Sequence, residues 1–121
     1  MNSNYQRLYV DMVTLREGLK LLHFQTHNYG VHKTVDDFLE RYDDLFDRFW
    51  ETAQRDKFRL NLNSARVELN NIRSYEELSP LLEEVSQGLA TISDRSLSNV
   101  CDEMAEAIAQ FGYLMSFQWN E

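Results

Sequence analysis

The chain has 121 residues, enough for one domain with one core, and its hydrophobic share of 43% excludes a disordered polar chain. One proline and four glycines argue against a turn-rich β fold. Twenty acidic residues against twelve basic ones leave a net charge of -8, which argues against nucleic acid as a partner and suits a protein that attracts cations.

Tyr5, Leu8, Tyr9, Met12, Leu15, Leu19 and Leu22 recur at helical spacing and predict a first amphipathic helix over roughly residues 4 to 26. Asn28 and Gly30 are expected to end it and turn the chain. A second helix should run from about Val31 to Gln54, and so short a connection makes the two antiparallel neighbours. Residues 57 to 73 change character: Phe58, Leu60 and Leu62 alternate with polar residues, and the asparagines that follow are poor helix formers. Extended, this segment reaches ~55 Å, more than a bundle of helices ~33 Å long requires, so it reads as a crossover with a short strand-like or helical piece. Ser74 and Glu77 have capping-box spacing, while Pro80 implies either a single turn before a helix that begins at Ser79-Pro80, or a kink. Leu78, Leu82, Val85 and Leu89 give a third apolar stripe, Ser93 to Ser96 a turn, and Val100, Met104, Ile108, Phe111 and Met115 a fourth. The expected fold is all-α: one domain over residues 1–121, a four-helix bundle with a long crossover between helices 2 and 3, which is ferritin-like connectivity.

The chemistry concentrates in residues 23 to 51, which hold all three histidines. His32 and Asp36 are one turn apart on the second helix, and so are Asp47 and Glu51. From Asp36 to Asp47 the helix turns ~1100°, which returns the second pair to within ~20° of the first. The two pairs nevertheless lie ~16 Å apart along the axis, while a metal ligand must sit ~2.0–2.6 Å from its ion. A second copy packed antiparallel across a two-fold axis would bring His32 and Asp36 of one chain to Asp47 and Glu51 of the other, and symmetry would generate two identical sites. On a helical wheel these residues gather with Glu40 and Asp43 at ~110° from Val35, away from the apolar direction near ~330°. Trp50 falls among them at the angle of His32, and a large aromatic in an acidic stripe points to a subunit interface.

The pattern His32-x3-Asp36-x10-Asp47-x3-Glu51, preceded by a histidine near the end of the previous helix, resembles the Dps-type mini-ferritins. That resemblance implies a ferroxidase centre at the two-fold interface, where His32 and Asp36 come from one subunit and Asp47 and Glu51 from its mate. The remaining family histidine corresponds to His23, with His27 as its rival, and Phe24 stands where the family commonly carries tryptophan. It further implies iron as the metal, one or two ions per site, oxidised from iron(II) by peroxide or oxygen and sequestered as ferric product, which protects against oxidative damage. The implied partner is the chain itself, a homo-oligomer through two-fold interfaces that extends in the family to a dodecameric cage. Family members that coat DNA often do so through lysine-rich tails. The opening MNSNYQR carries one positive side chain, so no nucleic-acid binding is expected.

Two other readings remain open on the residues. One is an all-helical, magnesium-dependent nucleotide pyrophosphohydrolase resembling the MazG group, with Asp36, Asp37, Glu40, Glu103 and Glu106 as its carboxylates; the other is a non-enzymatic helical-bundle interaction protein. A di-iron site inside one bundle would use two Glu-x-x-His motifs, and the sequence has none. A single cysteine, Cys101, excludes a zinc thiolate cluster and reads as a buried small hydrophobe. Tyr5, Gln6 and Arg7 interrupt any leader, and no apolar run approaches the ~20 residues of a membrane span, so the expected location is cytoplasmic.

Overall fold

A computed structural model describes residues 2–56 and 59–119, which form α1 (Asn2–Gln25), α2 (Tyr29–Asp56), α3 (Tyr75–Ala90) and α4 (Ser98–Gln118), with a 3-10 turn at Arg95–Leu97 before α4. The described residues contain no strand, and no helix among them is long and apolar enough to cross a membrane. Each helix buries one stripe. Met12, Leu15 and Leu19 of α1, Val31, Val35 and Phe49 of α2, Leu78 and Val85 of α3, and Met104 and Met115 of α4 are all shut off from solvent. α1 packs on α2 and α3, and α4 packs on the same two, so α1 faces α4, and α2 faces α3, across the diagonals of a square.

The α1–α2 turn departs from expectation. Asn28 and Gly30 do not close α1; they open α2. The Asn28 side-chain oxygen accepts the Val31 N–H at 3.1 Å, and Thr26 Oγ1 accepts the Asn28 N–H at 3.1 Å. Gly30 lies within the first turn of α2, and no described residue has positive φ. The unpaired N–H groups at a helix start attract an asparagine oxygen strongly, and here that demand outweighs its use as a left-handed C-cap.

Deeper in the bundle, Tyr42 is fully buried and its hydroxyl donates to the Met12 carbonyl at 2.9 Å, which ties the middle of α2 to the middle of α1. Burial pushes the Tyr42 phenol far above its usual range, so the group stays a neutral donor. Tyr42→Phe removes that hydrogen bond without opening a cavity. Urea denaturation should show a loss of about 1 kcal/mol, the net value of one buried bond. On the other side of α2, Phe38 stacks on Phe111 of α4 with ring centroids 4.2 Å apart.

Phe58, part of the alternating pattern, lies outside the described residues. From Arg59 to Arg73 the chain adopts neither helix nor strand. It is pinned to both ends of α1: Gln6 Nε2 donates to the Asn61 carbonyl at 2.6 Å, and Gln25 Nε2 donates to Asn71 Oδ1 at 3.0 Å. Between those pins α1 advances ~28 Å, so ten residues cover ~2.8 Å each, close to the rise of an extended chain. Ile72 is buried, and its Cδ1 lies 3.2 Å from where a Cβ on Gly18 would stand.

α3 begins where its cap places it. Ser74 Oγ accepts the Glu77 N–H at 3.2 Å, and the Glu77 carboxylate accepts the Arg73 N–H at 2.7 Å, holding that carboxyl below its usual range. Of the two readings of Pro80, the single turn before a helix that begins at Ser79-Pro80 is not found: α3 is continuous from Tyr75 with Pro80 inside it. Pro80 is exposed, so the Glu76 carbonyl left without its N–H partner can be met by water. Ser74→Ala should cost about 1 kcal/mol in a urea or thermal unfolding experiment, the usual value of a lost N-cap.

Candidate functional site

The turn between α1 and α2 sets the last turn of one helix beside the first turns of the next, and this brings His23 against His32. Their rings stack with centroids 4.0 Å apart and planes within 20°. His32 Nδ1–H can donate to the His23 carbonyl at 3.0 Å; that fixes the tautomer and leaves Nε2 free as a metal ligand. His23 Nδ1 is buried and has no hydrogen-bond partner among the described residues. Phe24 meets the His23 ring edge-on at 5.4 Å, and Tyr29 stacks beyond His32 at 6.4 Å. The result is a row of four rings whose two ends, Phe24 at 71% and Tyr29 at 75%, are the most exposed large hydrophobic side chains described. His27, the rival of His23, lies exposed in the connection between the helices and joins no ring contact among the described residues.

Down the same side of α2, Asp36, Glu40, Asp47 and Glu51 are exposed and make no hydrogen bond or ion pair among the described residues. Asp43, midway along the stripe, differs. Arg16 of α1 grips it through Nε at 2.7 Å and a terminal nitrogen at 3.3 Å, so its charge is already met within the chain. The His23–His32 pair and the Asp47–Glu51 pair stand at opposite ends of this stripe, with ~22 Å of helical rise from His32 to Asp47. Among the described residues no three His, Cys, Asp or Glu side chains converge closely enough to hold a metal ion.

One expectation fails. Trp50 does not stand in the stripe as an exposed interface aromatic. It is only 5% exposed, and its ring is surrounded within the chain by Tyr5, Tyr9, Phe46 and Phe49. Its indole N–H points to Met12 Sδ at 3.2 Å. The reason is that α2 has α1 on one side and α4 on the other, so its buried arc is wider than the mean apolar direction suggests. The flank shared by His32 and Trp50 is the one that α1 covers.

The carboxylates of the pyrophosphohydrolase reading are spread over α2 and α4, and two have cationic partners: Asp37 pairs with Lys33 at 3.0 Å and Glu103 with Arg48 at 2.5 Å. Cys101 is buried, and burial with Asp102 and Asp94 nearby pushes its thiol up to about 11, so it remains a neutral core side chain. Sequence reasoning passed over Tyr29 and gave Phe24 no structural part, although both flank the histidines in the run HFQTHNYGVH.

A family model described as a family of unknown function (DUF5856) matches residues 23–115, a span that begins at His23 and contains all of α2 and α3. No curated protein and no solved structure matches the chain.

Proposed function

We propose that this chain, which belongs to the DUF5856 family of unknown function, is a mini-ferritin-like protein that binds iron(II) between two copies of itself and oxidises it. The observation that carries this reading is the buried Nδ1 of His23, unpartnered among the described residues and stacked on a His32 whose Nε2 is free, at one end of a stripe in which Asp36, Glu40, Asp47 and Glu51 are unpaired. Exposed acids alone are an ordinary solvated face. An imidazole pair beside them, flanked by two large aromatics left open to water, is what an incomplete interface site looks like.

In this reading an antiparallel mate completes the site. His32 and Asp36 of one copy, with His23 behind them, and Asp47 and Glu51 of the other supply nitrogen and carboxylate donors that suit iron(II). The carboxylates hold the substrate cation and offset the charge gained on oxidation, while the small number of protein donors leaves coordination positions open to the oxidant. Two iron(II) ions give one electron each, and one peroxide takes both, with two protons, to yield two waters. Phe24 and Tyr29 would be covered by the mate and exclude water from the histidine end. The fold is read as ferritin-like with a long crossover; the extended segment that runs the length of α1, and the absence of contact between α2 and α3 among the described residues, support that connectivity.

The test is iron(II) oxidation under peroxide and under oxygen, with the native mass followed in the same samples. Activity that disappears in Asp47→Ala/Glu51→Ala supports the reading. Undiminished oxidation in that variant overturns it.

A further inference from the structure

The segment over α1 has a property unrelated to the histidines. Between Leu62 and Asn70 every residue is exposed, and no backbone N–H or C=O makes a hydrogen bond among the described residues. The stretch from Arg59 to Arg73 contains neither proline nor glycine, and none of the usual devices that blunt an open strand edge except scattered charge. From Ala65 onward the chain is free of bends until Ser74. In an extended chain Ala65, Val67 and Leu69 fall on one face and Arg66 and Glu68 on the other. Val67 is 40% exposed and Leu69 48%. Arg66 and Glu68 have no ion-pair partner among the described residues.

We propose that this segment is an interface with a second copy of the chain, formed by antiparallel pairing of residues 65–69 with the same residues about a two-fold axis through Val67. Charge complementarity selects both the occupant and the register. With Val67 opposite Val67 of the second copy, Arg66 lies opposite Glu68 and Glu68 opposite Arg66, while Ala65 meets Leu69. Centring one residue earlier sets Arg66 against Arg66, and one residue later sets Glu68 against Glu68. Half-residue shifts oppose apolar to charged side chains. A segment that complements itself in one register only is fitted to its own copy. The pairing would also supply partners to backbone groups that the monomer leaves to water. This surface lies over α1 on the side toward α3, since Thr14, Gly18, Glu77 and Leu81 line the hollow beneath it, and it is separate from the stripe on α2. It stands whether or not the histidine site binds iron.

The experiment is sedimentation equilibrium of the full chain in the presence of a chelator, which removes any metal-bridged contact. The parent should associate reversibly. Arg66→Glu and Glu68→Arg should each weaken that association roughly tenfold or more and halve the particle mass, because two opposite-charge pairs become like-charge pairs. An equimolar mixture of the two variants should recover the parent's mass, since unlike chains restore both pairs. Val67→Cys should also form a disulfide-linked dimer on mild oxidation, and Arg66→Cys, two residues off register with its own copy, should not. A parent with no association in chelator, single variants that match the parent, or a mixture that fails to recover would each overturn the proposal.

Discussion

Chains carrying His32→Ala and Asp36→Ala will fail to oxidise iron(II), chains carrying Asp47→Ala and Glu51→Ala will fail as well, and a mixture of the two will succeed. The loss in each variant should exceed ~100-fold, because even partners one shell removed from a metal cost up to that factor. Recovery follows from symmetry. In a mixed pair one site receives all four native ligands and the other receives none. Random pairing at equal concentrations makes half the pairs mixed, so about a quarter of the sites are intact and about a quarter of the parent rate returns. Rates are read from the initial phase of iron(II) oxidation, with exchange of subunits followed by native mass. Mixed pairs that form and stay inactive would rule out a shared site.

Trp50→Ala is expected to destabilise the fold by about 3–5 kcal/mol, the largest single effect outside the site. The indole is 5% exposed among four aromatic rings and points its N–H at Met12 Sδ, so truncation opens a cavity at the α1–α2 contact. Against a total stability of roughly 5–15 kcal/mol, that moves the urea midpoint far enough to leave the chain marginal. Trp50→Phe keeps most of the volume and should lose about 1–2 kcal/mol while oxidising iron(II) at the parent rate. A change below about 1 kcal/mol in the alanine variant would mean that the indole is not packed as described.

The contrast between Trp50 and His32 shows what the sequence could and could not reveal. Both have the same helical angle, and periodicity alone assigns that angle to the acidic face. What decides their surroundings is α1, whose Tyr5 and Tyr9 cover Trp50 while its His23 covers His32. Single-helix patterns carry no information about which neighbour leans over a flank. The four apolar stripes were legible because a helix in a bundle must bury one side, and the capping pair Ser74–Glu77 was legible because its chemistry is local. The α1–α2 turn was misread because asparagine and glycine serve either end of a helix, and the choice depends on which unpaired groups lie nearby. The stacking of His23 on His32 follows from the shortness of that turn, which a residue count suggests but a pattern search does not show.

The account turns on two chains completing one iron site, and its most direct test is an anaerobic iron(II) titration with the absolute mass of the native particle and its metal content measured together. The expected result is particles built from pairs, with iron bound in one site per chain and lost when Asp47 and Glu51 are replaced by alanine. Tight, stoichiometric iron(II) binding by a single chain, or paired particles that bind no iron at all, would contradict it.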